Sequence, residues 1–475
     1  MPQLRHSLAV KLASVASVTA LAFLVCLAAP TPTRAGTVLR GICAPGLIGH
    51  WSTDGPAVVR QFAERLGADV VRVNVRWYEA APSPGTYDDQ YLGRVTSAVR
   101  EIRARGMQVI VGVWGTPRWA SDRALWVTAA PGDRAGVYHR YYPPALDHLE
   151  QLRALMERLS ADLQGEVLGY VCWNEPNLWT YLYPQRTSSN AAFAARRYAK
   201  MLAAFSQGVR GGDANAHVIA GETAPFGENS VLRTSPQRFA RLLARQGASA
   251  WFDAYSHHPY AIASRNGVAP NAQPRDPEHT VNLGNLDTLV KVFADRPLYI
   301  TELGYPTRPN AAHGFWVSPA RQASYLRAAF RVATAHDGVA MLVWFPLHDS
   351  SNTGTYANPW GNYSGLVTLG GRPKRAYYAF AGGNSLTLAD PGRVARAGAT
   401  LVLRGVLTSV RMGPLAGKGL TVLARRPGSP WIVAAQTMTR GDGSYVVRLR
   451  VRRGATWKVR WTGVVTSPRH WVPVG

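Results

Sequence analysis

The sequence predicts a (β/α)8 barrel followed by a small all-β sandwich. Three observations carry this. Eight short apolar runs alternate with longer helical patterns between residues 38 and 380. The unusual polar residues gather at the C-terminal ends of those runs, the end at which such barrels carry their sites. From about Ser385 the helical period is lost, and short alternating runs separated by turn residues replace it.

The elements follow in order. Residues 38–43 form the first strand, and residues 55–66 a helix with Val58, Val59, Phe62 and Leu66 on one face. The next strands are 69–77, 107–114 and 167–173, separated by helices over 90–105 and 145–163. Helix 191–209 leads to strand 217–220, helix 236–246 to strand 250–257, and helix 286–294 to strand 298–302. Helix 318–336, strand 339–345 and a closing helix from Lys374 to Phe380 complete the repeat. Near-continuous apolar runs suit strands covered on both faces. An open doubly wound sheet is disfavoured, because Gly41-Ile42-Cys43-Ala44-Pro45-Gly46 after the first strand lacks the phosphate-binding glycine pattern. Beyond Ala381-Gly382-Gly383-Asn384, runs at 400–404, 420–424, 431–434, 444–448 and 456–461 read as an antiparallel sandwich, so the expected domains are 36–383 and 385–475.

Residues 1–35 read as a secretory signal. Arg5, His6 and Lys11 precede an apolar stretch over 12–29, and Thr33-Arg34-Ala35 offers a small-x-small cleavage site. The competing reading is an uncleaved anchor. Cys26 follows Val25 where a lipoprotein needs a small residue. Of the chain's 475 residues 47% are hydrophobic and only 17% charged, which excludes a disordered protein. The formal net charge is +25, and +13 of it falls within 385–475, where fifteen Lys and Arg face Asp390 and Asp442. That density points to polyanions such as an anionic wall polymer. An exported chain without aromatic RNA motifs is not expected to bind nucleic acid. Cys43 and Cys172 fall on the first and fourth strands, on opposite sides of a closed barrel, and are expected to be free thiols. No Cys/His cluster has zinc spacing, so neither metal nor cofactor is expected. A monomer is the expected state.

Two strands end in a carboxylate beside a breaker: Tyr170-Val171-Cys172-Trp173-Asn174-Glu175-Pro176 and Leu298-Tyr299-Ile300-Thr301-Glu302-Leu303-Gly304. Glycosidic-bond chemistry needs such a pair, one carboxyl holding a proton near neutral pH and the other not. When they lie about 5–5.5 Å apart, one acts as acid/base and the other as nucleophile. Glu175 is the expected acid/base and Glu302 the expected nucleophile of a retaining reaction. Asn174 is placed to bond the sugar 2-hydroxyl. Aromatic residues crowd the loops behind strands three, four, seven and eight: Trp119, Trp126, Tyr138, Tyr141 and Tyr142; Trp179, Tyr181 and Tyr183; Tyr305 and Trp316; Tyr356, Trp360 and Tyr363. Trp114, at the end of the third strand, and Trp179 are the expected stacking residues for substrate.

These segments resemble those of the clan A (β/α)8 retaining glycoside hydrolases, which carry acid/base and nucleophile after strands four and seven. Gly67-Ala-Asp-Val-Val-Arg-Val-Asn-Val-Arg-Trp77 resembles that clan's second strand, and Gly115-Thr-Pro-Arg-Trp-Ala120 is similar to a family 39 segment, with family 5 next. The resemblance covers about 38–382. It implies that Arg72 pairs with the nucleophile, although Arg76 shares its strand face and competes for the role. It also implies that His258 and Tyr260, in Ser256-His-His-Pro-Tyr260, and Trp344 line the site, with Tyr260 bonding Glu302. His257 is expected to pack against the helix layer, and His348 and Asp349 are open candidates for substrate contact. The C-terminal runs resemble immunoglobulin-like modules. The expected activity is hydrolysis of a polysaccharide by a secreted enzyme. A non-catalytic wall- or sugar-binding protein and a transglycosylase using the same pair are the alternatives.

Overall fold

The structure, a computed structural model, describes residues 38–45, 47–48, 59, 65–128, 139–261, 268–309, 315–350, 363–382, 384–409, 413–462 and 464–475. The expected signal, most of the helix over 55–66, and Tyr138, Tyr356 and Trp360 lie outside them. Eight strands close a parallel barrel: β1 (Leu39–Cys43), β2 (Val70–Arg76), β3 (Gln108–Trp114), β4 (Gly169–Cys172), β5 (His217–Thr223), β6 (Ala254–His257), β7 (Leu298–Leu303) and β8 (Val339–Trp344). Pairing of β1 with β8 in the register Ile42↔Trp344 completes the ring. The helices between them are α1 (Trp77–Ala80), α2 (Asp89–Ala104), α3 (Leu149–Asp162), α4 (Phe193–Gly212), α5 (Pro236–Ala244), α6 (Asp287–Val290), α7 (Pro319–Thr334) and α8 (Arg375–Phe380).

Strand alternation sorts the side chains into two cores. Val71, Val73 and Val75 of β2 pack outward with the helices, while Val70, Ile110, Val171, Ile219, Tyr299 and Met341 fill the barrel interior. Arg72 and Asn74 share the parity of Val70, so the layer above that apolar plug is polar. Gly112 makes room for it: a Cβ there would lie 2.9 Å from Asn74 Oδ1 and 3.4 Å from Arg72 Nη2.

Three elements depart from expectation. The helix over 286–294 is broken into a 3-10 turn at Leu283–Asn285, capped by Asn282, then α6 and a second 3-10 turn at Lys291–Phe293. The sixth strand starts at Ala254 rather than at 250, because Gly247 (φ 68°) turns the chain into a 3-10 helix at Ala248–Trp251. The fifth strand runs past Ala220 to Thr223 through a bulge in which Gly221 (φ 97°) and Glu222 (φ 44°) take left-handed backbone.

After α8 come β9 (Asn384–Leu386), β10 (Thr400–Ser409), β11 (Gly413–Pro414), β12 (Gly419–Arg425), β13 (Ile432–Met438), β14 (Ser444–Arg450), β15 (Ala455–Trp461), β16 (Val465–Thr466) and β17 (His470–Val472). They form two antiparallel sheets, one with β9, β10, β11 and β14 and the other with β12, β13, β15, β16 and β17. Leu401, Leu403, Leu407, Val422, Tyr445, Val459 and Trp457 make their shared core. The fold class is therefore a TIM barrel followed by antiparallel sheets.

Lys374, at the start of α8, ties the last two barrel loops together. Its ammonium donates to Asp349 Oδ1 (2.6 Å), Thr307 Oγ1 (3.0 Å) and the Tyr363 carbonyl (2.9 Å), and both members of the Lys374–Asp349 pair are 5% exposed. Removing one partner strands a buried charge. Lys374→Met is expected to cost about 3–5 kcal/mol in denaturant unfolding; a loss below about 1 kcal/mol contradicts this account of the loops.

Candidate active site

The rim of the barrel is built at the end of β4. Trp173 (φ 71°) and Glu175 (φ 38°) both occupy left-handed backbone, a conformation held only where the surroundings enforce it. Here the Trp173 indole donates to the Tyr181 carbonyl (2.8 Å), and the Glu175 amide donates to the Glu222 carbonyl (3.1 Å). Asn177, fully buried, bridges to the loop after β5. Its amide donates to the Ala224 (3.2 Å) and Thr234 (2.9 Å) carbonyls, and its oxygen accepts from the Ala224 amide (2.8 Å). The turn that follows the β4 strand end is a fixed platform for one carboxylate.

The second carboxylate, Glu302, is held on both oxygens. Arg72 donates to Oε1 at 2.6 Å and the Tyr260 hydroxyl to Oε2 at 2.8 Å. His258 joins the two acids: its Nδ1 lies 3.0 Å from Glu175 Oε1 and 3.8 Å from Glu302 Oε2. Those two distances limit the separation of the carboxylate oxygens to about 7 Å, which fits the ~5–5.5 Å of a double-displacement site and excludes most of the ~6.5–9.5 Å range of a single-displacement one. Glu175 and Glu302 are 13% and 12% exposed, while Arg72 and His258 are fully buried. The rim therefore presents two carboxylates on a covered bed of cations.

A third carboxylate, Glu222, lies among those cations, and the sequence reading does not include it. It is fully buried, accepts from Arg72 Nη2 at 2.7 Å and faces His258 Nε2 at 3.6 Å. The signal was present, since Gly221-Glu222-Thr223 is a third apolar strand ending in a carboxylate beside a glycine. The apolar run stops at Ala220, before the bulge that carries the strand on to Thr223. Burial raises the Glu222 carboxyl, but Arg72 and then His258 outweigh it and hold it below the usual range. Burial likewise opposes charge on His258, yet Glu302, Glu175 and Glu222 together push it up to about 10. For Glu175 burial wins: its carboxyl is raised despite its hydrogen bond to His258.

The other expected residues are placed as follows. Asn174 accepts from Arg72 Nη2 through its side-chain oxygen (3.3 Å). Arg76 does not reach Glu302; it pairs with Glu79 (3.0 Å) and lies over the Trp114 ring (5.9 Å). Trp114 is half-buried, edge-on to Tyr181 at 5.7 Å. Trp179 is half-buried, edge-on to Tyr141 at 5.4 Å. Trp344 is fully buried beneath the site, its indole donating to the Ser364 carbonyl (3.1 Å) and its ring stacked with Tyr305 at 6.3 Å. His257 lies between Thr223 Oγ1 (2.9 Å) and the Val281 carbonyl (3.0 Å), and burial lowers it to about 3, so it is a neutral packing residue. Asp349 is taken up by Lys374 and the Gly365 amide (2.9 Å), which corrects its candidacy for substrate contact. Cys43 and Cys172 are buried free thiols, and Cys43 Sγ accepts from Arg72 at 3.5 Å. Among the described residues no group of His, Cys, Asp and Glu could hold a metal ion.

A closed parallel barrel with two carboxylates meeting over one histidine at its C-terminal rim is the arrangement that double displacement at a glycosidic bond requires. The chain belongs to glycosyl hydrolase family 5: the cellulase profile of that family matches residues 33–344, which take in both carboxylate segments. Family 39, the first expectation, gives way to family 5 of the same clan. The segment that pointed to family 39 is a packing turn: Trp119 donates to the Ala81 carbonyl (3.0 Å) and meets Trp77 edge-on at 5.9 Å, work that does not touch the chemistry. Among solved structures, the chain is similar to exo-beta-1,4-mannosidase Op5Man5 from Opitutaceae bacterium strain TAV5 (TM-score 0.50, 18% identity, 72% of this chain and 58% of that one). It is similar also to GH5_18 from Bifidobacterium longum subsp. longum in complex with Manb1-4GlcNAc (TM-score 0.52, 17% identity, 72% and 77%). A GH5_18 from Bifidobacterium longum subsp. infantis overlaps 81% of this chain and 87% of its own (TM-score 0.51, 17% identity). The chain thus spans less than two thirds of the Opitutaceae enzyme. No curated protein matches it.

Proposed function

We propose that the protein is a secreted retaining glycoside hydrolase that cleaves a polysaccharide by double displacement, with Glu302 as nucleophile and Glu175 as acid/base. The observation that carries this reading is the convergence of Arg72, Tyr260 and His258 on the two carboxylates. Glu302 attacks the anomeric carbon as the bond to the leaving oxygen breaks, and Glu175 passes its proton to that oxygen. Water then attacks the anomeric carbon of that glycosyl ester, giving its proton back to Glu175 as the bond to Glu302 breaks. Asn174 spends its oxygen on Arg72, so its amide N–H2 is the group left for a sugar hydroxyl. Aryl glycosides of a broad sugar panel, β-mannosides included, test the reading. Turnover by wild type that is absent from Glu302→Gln supports it. No turnover at all, with sugar binding untouched by the substitution, supports a non-catalytic sugar binder instead.

Charge balance explains why Glu175 is the protonated member. With Arg72 and His258 cationic and Glu222 and Glu302 anionic, the buried cluster is neutral only while Glu175 keeps its proton, and net charge in such a place is costly. Once Glu302 is an ester the balance reverses, and an ionised Glu175 restores neutrality as a base is needed. Glu222 sets this balance without touching substrate. In Glu222→Gln the cluster is neutral with Glu175 ionised, so the alkaline limb of kcat/KM is expected to move down by about one pH unit or more. An unmoved limb with a lower kcat would reduce Glu222 to a structural prop.

Export follows from the charged, apolar and small-residue order of residues 1–35. The span 385–475 lies beyond the family match and acts as an accessory domain that holds anionic polymer near the barrel of a monomeric enzyme, supported by its charge of +13.

A further inference from the structure

The outer face of the β12–β13–β15–β17 sheet carries a constellation that the barrel chemistry does not use. Val422 and Ala424 of β12 and Trp457, Val459 and Trp461 of β15 point into the core. By alternation Arg425, Thr456, Lys458 and Arg460 point outward. The register Thr456↔Trp471 sets Trp471 on that same outer face, and Arg469, two residues earlier, returns to it. The Trp431 ring gathers the cations: Lys458 Nζ lies 4.0 Å from its centroid, the Arg425 guanidinium 5.1 Å and that of Arg469 5.9 Å. Trp471, 50% exposed, lies on the same face with its ring reaching toward Gly454, so that the cations and the indole are spread along β15.

Among the described residues no carboxylate pairs with these charges. Asp442 is turned onto the Ser444 amide (2.9 Å), and Asp390 is spent on the Gly392 amide (2.9 Å) and on His470 at 3.9 Å. Lys458 is accordingly pushed below its ordinary value by burial and then by Arg469, Arg460 and Arg425. Like charges gathered on an aromatic ring with no internal counter-ion are relieved by an anion from outside. The exposed indole of Trp471 farther along the same face adds a flat apolar surface, which suits the C–H face of a sugar ring in an extended polymer and offers nothing to a bare phosphate chain.

We propose that Arg425, Lys458, Arg469 and Trp471 form a binding site for an acidic polysaccharide, its carboxylates on the cations and a sugar ring on Trp471. This rests on the reading of residues 385–475 as a holder of anionic polymer and gives that reading a place and a ligand chemistry. The site is separate from the barrel rim, so it retains polymer without taking part in cleavage.

The test uses the full chain in low salt, with polygalacturonate and inorganic polyphosphate as probes in affinity electrophoresis. Lys458→Gln/Arg469→Gln is compared with Arg448→Gln/Arg450→Gln, an equal charge loss on β14 of the other sheet, and with Trp471→Ala. The first pair is expected to weaken polygalacturonate binding about tenfold, the β14 pair by less than about twofold, and Trp471→Ala to weaken polygalacturonate but not polyphosphate. Turnover of small aryl glycosides stays at the wild-type level in all three, and an unchanged thermal melt with unchanged far- and near-ultraviolet circular dichroism reports that the C-terminal sheets fold. Equal weakening by both charge pairs leaves the polyanion reading standing and overturns this site. Indifference of polygalacturonate to Trp471→Ala overturns the sugar contact and leaves a generic anion patch. Failure of wild type to bind either polymer overturns the underlying reading.

Discussion

Glu302→Gln is expected to lower kcat on activated aryl glycosides by at least about 10^4-fold, a loss of about 5.5 kcal/mol of transition-state stabilisation. Glutamine keeps the size of the side chain; its oxygen can still accept from Arg72 and its N–H2 can donate to the Tyr260 hydroxyl oxygen, so the rim should keep its shape. What disappears is the carboxylate that forms the covalent bond. Arg72 retains Glu222 at 2.7 Å, so its charge is not stranded. The kinetic comparison is therefore clean: steady-state rates, with a thermal melt as the control for folding. A loss below about tenfold would show that another group attacks the sugar.

The second large effect belongs to Glu175→Ala, and its signature is its dependence on the leaving group. General acid assistance is worth about 10^2–10^4-fold. That full loss is expected where the leaving group is an alcohol or a sugar, which needs a proton to depart. Dinitrophenyl glycosides leave unaided, so for them the first step survives and the hydrolysis of the ester becomes slow. Added azide, a nucleophile that needs no base, should then restore turnover and yield a glycosyl azide. A uniform loss across leaving groups, with no response to azide, would place the acid elsewhere.

The meeting of Glu175 and Glu302 at one rim is legible in the sequence. Glu175 and Glu302 stand out because an apolar strand that stops at a carboxylate beside proline, or shortly before glycine, has no packing reason to do so. Arg72 and Arg76 could not be ranked by parity, since both project from one face of β2. The decision came from depth: Arg72 lies in the layer directly above Val70, within reach of Glu302, whereas Arg76 sits at the strand end and finds Glu79. Glu222 was lost for a different reason. A bulge at Gly221 carries the fifth strand past the point where its apolar run ends, and alternation rules assume no bulge. The helix over 286–294 failed similarly. Its apolar spacing is helical, but the Asn282 cap and the short path to Pro297 leave room for only fragments. The split of Asp349 from substrate is unreadable in the sequence because its partner, Lys374, stands 25 residues on, just before α8.

The proposed reaction forms a glycosyl ester on Glu302 and hydrolyses it with the help of Glu175. Proton NMR of the anomeric signals during cleavage of a substrate that wild type turns over reads this directly. The account predicts that the first product carries the configuration of the substrate, with the other anomer growing in only at the rate of mutarotation. A first product of inverted configuration would contradict it.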